Sequence, residues 1–274
     1  MASSRVVLEQ QDLTFLNWSH IRSSSGTAGT FLKSQSLLGG VKKYYKLSNF
    51  DAINGIVGHE CVNEIIVDRL LNILGVEHIH YDLINALIET GGRQYSTYLC
   101  CSEDFKSRGE SKMALDNFYT ANAIVGESHY DFCARMGWGR YVDTMIAVDY
   151  LILNRDRHGA NIEVLRNARE KTLRLAPLFD HGLSLMYTCM TDADVQKYDI
   201  LEDKRCQNFI GSQSCFDNLS LIKNKKSVFK NKLKEGDRKI IFEDLEDVMQ
   251  EEFIDKIWKM IFARYRYYED QCDN

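Results

Sequence analysis

The hydrophobic pattern of the chain changes period near Asp104, and this change limits the fold more tightly than any composition figure. Before it, the short runs LTFLNW, GTFLKS, VKKYYKL, IHYDLI and RQYSTYLCC are rich in Val, Thr, Tyr and Phe. They are separated by Gly, Ser or Asn, as in an antiparallel sheet. One helix interrupts them. In HECVNEIIVDRLLNILG the residues Val62, Ile65, Ile66, Arg69, Leu70 and Ile73 recur at helical spacing, and Gly75 supplies a C-cap. After Asp104 the spacing is mostly three to four. LDNFYTANAIVGESHYDFCARMGW and RYVDTMIAVDYLILN read as central helices, and EEFIDKIWKMIFARYRYYED carries Phe253, Ile257, Met260, Ile261 and Arg264 on one face of a final helix. Only IEVL and LRLAPLF, on either side of the turn NAREKT, break that pattern, as a hairpin. The expected class is α+β in two lobes. Residues 1–103 form a β-rich N-lobe with one main helix, and residues 104–274 a mostly α-helical C-lobe.

Composition narrows the function classes. A chain of 274 residues with 45% hydrophobic and 27% charged residues is an ordinary globular protein, not a disordered or fibrous one. No apolar run is long enough to span a bilayer, and the opening MASSRVVLEQQDL has no signal-peptide core, so a cytoplasmic location is expected, with signal-free secretion left open. A net charge of −5 argues against direct nucleic-acid binding or a membrane platform. The basic run KNKKSVFKNKLKEGDRK is followed at once by the acidic EDLEDVMQEEFID, and the two blocks compensate each other. The eight cysteines show no C-x-x-C pair and no zinc-finger spacing, which predicts free thiols. The single proline, Pro177, draws attention to its neighbourhood.

Chemistry concentrates around LNRDRHGANI. Arg155, Asp156, Arg157 and His158 follow the apolar run MIAVDYLIL directly, and such a group either faces water or builds a polar site. Asp156 and Asn161 stand five apart, and after the hairpin RLAPLFDHG presents Asp180 at the end of an apolar strand. Phosphoryl transfer needs those parts in that order: a carboxylate to take the hydroxyl proton, then an Asn and an Asp to hold Mg²⁺ against the phosphates. Protein kinases use the same five-residue spacing and a D-x-G turn. Here the turn is Asp180-His181-Gly182, with His where those enzymes usually have Phe. In the N-lobe, SSSGTAGTFLKS is a small-residue turn whose N–H groups suit phosphates. A Walker-type loop is excluded, because Leu32 precedes Lys33-Ser34 and the required glycine spacing is absent. Lys46 lies inside a strand, and Glu60 and Glu64, one turn apart on the following helix, are its candidate partners.

These residues carry a family resemblance. D-R-H-x-x-N from Asp156 to Asn161, L-A-P-L-F-D from Leu175 to Asp180, the Ser/Gly loop from Ser23 to Gly29, and NEIIVDRLLNILGV before a strand together resemble the HipA-like serine/threonine kinases, bacterial kinases known mainly as toxins of toxin–antitoxin pairs. The D-R-H-x-x-N core alone is shared with phosphoinositide kinases.

The resemblance implies a two-lobed protein-kinase-like fold that transfers phosphate from ATP with Mg²⁺. It implies Asp156 as catalytic base, Asn161 and Asp180 as metal ligands, and Lys46 on the phosphates, with Glu64 as its partner. It also implies Ser25, Gly26, Thr27, Ala28 and Gly29 around the phosphates, and Glu103 and Phe105 at the hinge against adenine. His158 orients Asp156, joins proton transfer, or holds the loop by hydrogen bonds; these three roles stay open. Ser23 and Ser25 stand where relatives autophosphorylate. The expected partners are a protein substrate with a Ser or Thr acceptor and an antitoxin-like protein. The family's full-length toxins carry a further N-terminal subdomain, whose function is expected to be missing here or supplied by another chain. The competing readings are a lipid or small-molecule kinase and an ATP-binding pseudokinase that regulates a partner.

Overall fold

The computed structural model describes residues 4–19, 31–51, 53–224 and 226–273. The N-terminal part contains β1 (Val6–Asp12), β2 (Lys33–Leu38), β3 (Val41–Leu47), the two-residue strands β4 (Phe50–Asp51) and β5 (Gly55–Ile56), helix α1 (Glu60–Leu74), β6 (Asp82–Thr90) and β7 (Arg93–Glu103). Its main sheet has the order β1-β6-β7-β3-β2. The third strand coincides with VKKYYKL, and α1 ends as expected at Gly75, whose φ of 70° is left-handed and whose N–H bonds back to Asn72 and Leu71 carbonyls.

Two details of this sheet differ from the pattern reading. It is mixed, because β1 runs parallel to β6 with Val6 beside Leu83. The edge strand is VVLEQQD and not LTFLNW: at Asp12 the side chain accepts hydrogen bonds from the Thr14 N–H (3.0 Å) and hydroxyl (2.7 Å), and this local turn ends the strand.

The C-terminal part holds β8 (Glu110–Ala114), α2 (Leu115–Asn122), α3 (His129–Arg135), α4 (Gly139–Ile152), β9 (Asp156–Arg157), β10 (Glu163–Asn167) and β11 (Thr172–Leu175). Beyond these come α5 (Asp192–Lys197), β12 (Gln207–Asn208), α6 (Cys215–Asn218), α7 (Arg238–Ile241) and the long α8 (Glu251–Asp273). The expected hairpin is β10–β11, and β8 adds a third antiparallel strand with Glu163 opposite Ala114. The stretch from Leu115 to Trp138 is not one central helix. It breaks after Asn122, where Gly126 takes a φ of 81° and Glu127 bonds both the Ile124 N–H and Arg135, while Ser128 caps α3. Val125 is fully exposed there, so its apolar character reports no core position.

One large apolar core runs from α1 through α4 to α8, and a smaller one, with Leu47, Ile88 and Leu99, covers the other side of the sheet. Completely buried side chains such as Leu70, Leu74 and Leu151 each contribute roughly 1.5–3 kcal/mol. Arg264, almost wholly buried on α8, donates to the carbonyls of Tyr150 (3.2 Å), Ile200 (2.9 Å) and Glu202 (2.7 Å), fastening the last helix to α4. Helix α1 is buried on all sides, including its polar Glu60, Asn63, Glu64, Asp68 and Arg69. Each must therefore find a partner, and those partners build the site. Cys61, Cys100, Cys101, Cys133, Cys189, Cys206 and Cys215 are buried free thiols. Among the described residues no helix is long and apolar enough to cross a membrane.

Candidate active site

Strand β3 and helix α1 place Lys46 against Glu64. Lys46 Nζ lies 2.9 Å from Glu64 Oε1 and 2.5 Å from Asp180 Oδ1, and Glu64 is wholly buried. Burial works against the charge on Lys46, but Asp180 and Glu64 outweigh it and hold the ammonium well above the ordinary lysine range. Glu60 is not part of this pair; its carboxylate accepts the Asn49 N–H at 3.1 Å.

Glu64 also builds the D-x-G turn. Its carboxylate accepts the N–H of His181 (2.9 Å) and of Gly182 (3.0 Å). One residue earlier on α1, the Asn63 amide donates to the carbonyls of Gly182 and Ser184, both at 3.0 Å. These contacts hold Asp180 in a left-handed conformation, φ 60°, which disfavours most L-residues by roughly 1–2 kcal/mol and which Asp tolerates better than others. His181 is buried; burial, with Arg157 and His78 adding, drives its pKa well below the ordinary value, so the ring is neutral. Pro177 follows β11 by two residues, and the segment beyond it bridges to the chain entering β6: the Ile79 N–H bonds the Leu178 carbonyl at 2.8 Å.

Helix α4 delivers the other half. It stops at Leu153, left-handed at φ 50°, and the chain turns into β9. Arg157 is fully buried and clamps Asp149 of α4 through Nε (3.1 Å) and Nη2 (2.9 Å). Its Nη1 donates to the carbonyls of Asn161 (3.3 Å) and Phe179 (3.0 Å), so one guanidinium ties the loop holding Asn161 to the residue before Asp180. The Asn161 amide nitrogen donates to the Asp156 carbonyl at 2.9 Å, which fixes the amide plane with oxygen as the atom a hard cation would take. His158 Nδ1 accepts the Ala160 N–H at 3.2 Å, and Nε2 is 3.7 Å from Asp156 Oδ1, beyond hydrogen-bond distance. The hydrogen bond from Ala160 ties the His158 ring to its own loop. On the outer side β9 pairs in parallel with β12, Asp156 beside Gln207.

A cavity of about 540 Å³, suited in size to a nucleotide, opens beside Lys46 and Asp180. Glu103 and Phe105 line it, and Phe105 stacks on Phe179 with ring centroids 5.9 Å apart. The loop residues Ser23, Ser25, Gly26, Thr27, Ala28 and Gly29 lie outside the described residues. Sequence reasoning singled out Arg157 without giving it a role, and missed Asp149, Asn63 and Tyr81, whose hydroxyl accepts the Asp180 N–H at 3.4 Å. Asp149 had a signal: a lone acid inside the apolar MIAVDYLIL needs a buried partner.

Among solved structures, the proinflammatory kinase CtkA of Helicobacter pylori superposes over 96% of this chain and 97% of its own, with a TM-score of 0.64 at 14% identity. The chain shares the fold of that kinase. In this shared fold a β-rich sheet with one buried helix packs beside a helical body, with the cavity next to Lys46. A Shewanella oneidensis MR-1 HipA, from a complex with HipB and its operator DNA, matches with a TM-score of 0.47 at 14% identity, covering 93% of this chain and 66% of that one. No protein-family model and no curated protein sequence matches the chain.

Proposed function

We propose that the chain is an ATP-dependent serine/threonine protein kinase of HipA-like type with Mg²⁺ as its metal. The observation that carries this reading is the meeting of Lys46, Glu64 and Asp180 beside the cavity. The donor set fits: a carboxylate on Asp180 and an amide oxygen on Asn161 suit a hard divalent ion, and a charged lysine suits phosphate. When bound, Mg-ATP supplies the transferable phosphoryl group and the cation that offsets its charge. The chain's own residues then have separate tasks. Lys46 holds phosphate oxygens, Glu64 keeps Lys46 in place, and Asp156 takes the proton of a Ser or Thr hydroxyl. Glu103 and Phe105 receive the base, and the Ser25–Gly29 loop covers the phosphates, with Ser23 or Ser25 as autophosphorylation sites. By the same resemblance we propose a cytoplasmic protein that acts on a protein substrate and answers to an antitoxin-like partner.

Incubation with Mg-ATP and a bacterial lysate, followed by phosphosite mass spectrometry, tests the reading. Serine or threonine phosphorylation absent from an Asp156→Ala control supports it. Phosphate on a lipid or small molecule alone points to that class instead, and ATP binding with no transfer points to a pseudokinase.

A further inference from the structure

One turn beyond Glu64 on α1, Asp68 meets two histidines from the segment that leads into β6. Asp68 Oδ1 lies 3.0 Å from His78 Nε2, 3.2 Å from His80 Nδ1 and 2.9 Å from Asn72 Nδ2, while Oδ2 accepts the Tyr81 N–H at 2.7 Å. Asp68 and His78 are buried, whereas the His80 side chain is 42% exposed. None of the three lines the cavity beside Lys46.

The ring of His78 holds the decisive detail. Its Nδ1 is 2.7 Å from the Val76 carbonyl oxygen, which can only accept, so Nδ1 carries a proton. Nε2 then faces a carboxylate oxygen 3.0 Å away, in a place closed to water, so either a second ring proton or a metal ion lies between them. Separations of 3.0 and 3.2 Å approach the roughly 3.3 Å edge of a tetrahedron with ~2.0 Å metal–ligand bonds. The Val76 carbonyl is the outer partner by which metal-bound histidines fix their tautomer.

We propose that Asp68, His78 and His80 form a structural site for a zinc-type divalent ion, with solvent in the fourth position beside His80. Two imidazoles and one carboxylate favour such an ion over Mg²⁺. The site joins α1, which carries Glu64, to the segment whose Ile79 bonds Leu178 ahead of Asp180. The ion clips the two halves of the Lys46 cluster together.

Chelator-treated protein titrated with Co²⁺ tests this. The expected result is one Co²⁺ per chain with the intense visible absorption of four-coordinate cobalt, displaced by Zn²⁺ and retained in Asp180→Asn. His80→Ala, an exposed change, should weaken binding by about tenfold or more, at least the loss that removal of an outer partner causes. No such absorption in the wild type, as expected if a proton alone bridges Asp68 and His78, overturns the proposal. So does absorption unchanged in His80→Ala.

Discussion

Glu64 Oε1 takes the Lys46 ammonium at 2.9 Å and, on the same oxygen, the Gly182 N–H at 3.0 Å. One buried carboxylate therefore serves both the lysine and the turn that bears Asp180. Glu64→Ala leaves the buried Lys46 ammonium with Asp180 alone and strips the His181 and Gly182 N–H groups of their acceptor, and should lower stability by about 2–5 kcal/mol in urea unfolding. Lys46→Ala should cost less, because Glu64 keeps its bonds to His181 and Gly182.

Arg157 makes a second, independent tie. Arg157→Leu strands Asp149 in the core and frees the Asn161 and Phe179 carbonyls, so a stability loss of about 3–5 kcal/mol is expected by denaturant titration. Changing Arg155 instead, whose Nε donates to the Arg205 carbonyl on the exposed side, should cost under about 1 kcal/mol.

The candidate site was legible in the sequence where residue identity alone specifies a role. Asp156, Asn161, Asp180 and Lys46 stand in a recognisable order, and Glu64, the partner the resemblance implies, lies 2.9 Å from Lys46 while Glu60 bonds Asn49. Hidden from the sequence were the groups that act through backbone atoms: Asn63 and Arg157 hold carbonyls, and nothing in local spacing reports a carbonyl 119 or 22 residues away. The fold followed the hydrophobic period well in β3, α1, α4 and α8. It failed at Ile124-Val125, where apolar residues sit in an exposed turn, and at β1, whose parallel partner is fixed by long-range pairing.

Gly159 sits between His158 and Asn161 with Asp116 of α2 against it. An added Cβ would lie 2.6 Å from Asp116 Cβ and 3.1 Å from Phe209 Cδ2. Gly159→Ala should displace the loop and lower kcat by about 100-fold with a smaller effect on thermal stability, as steady-state kinetics beside a melt would reveal.

The bonds from Arg135, chiefly, hold the Glu127 carboxyl down at about 2. Its folded pKa is depressed, so its contribution is present above the ordinary carboxylate range and is lost as pH falls toward about 2. Glu127→Gln should flatten the stability profile across that acid window. A slope equal to wild type in pH-dependent urea melts would remove this pair from the account.

The most direct measurement is transfer from γ-labelled ATP, with Mg²⁺, to protein by wild type, Asp156→Ala and Asp180→Ala, each checked for a native circular dichroism spectrum. Wild type should label protein, and both folded variants should fall by about 1,000-fold or more, as expected when a base or a metal ligand is lost. Labelling by either variant at the wild-type rate would contradict the assignment of Asp156 and Asp180.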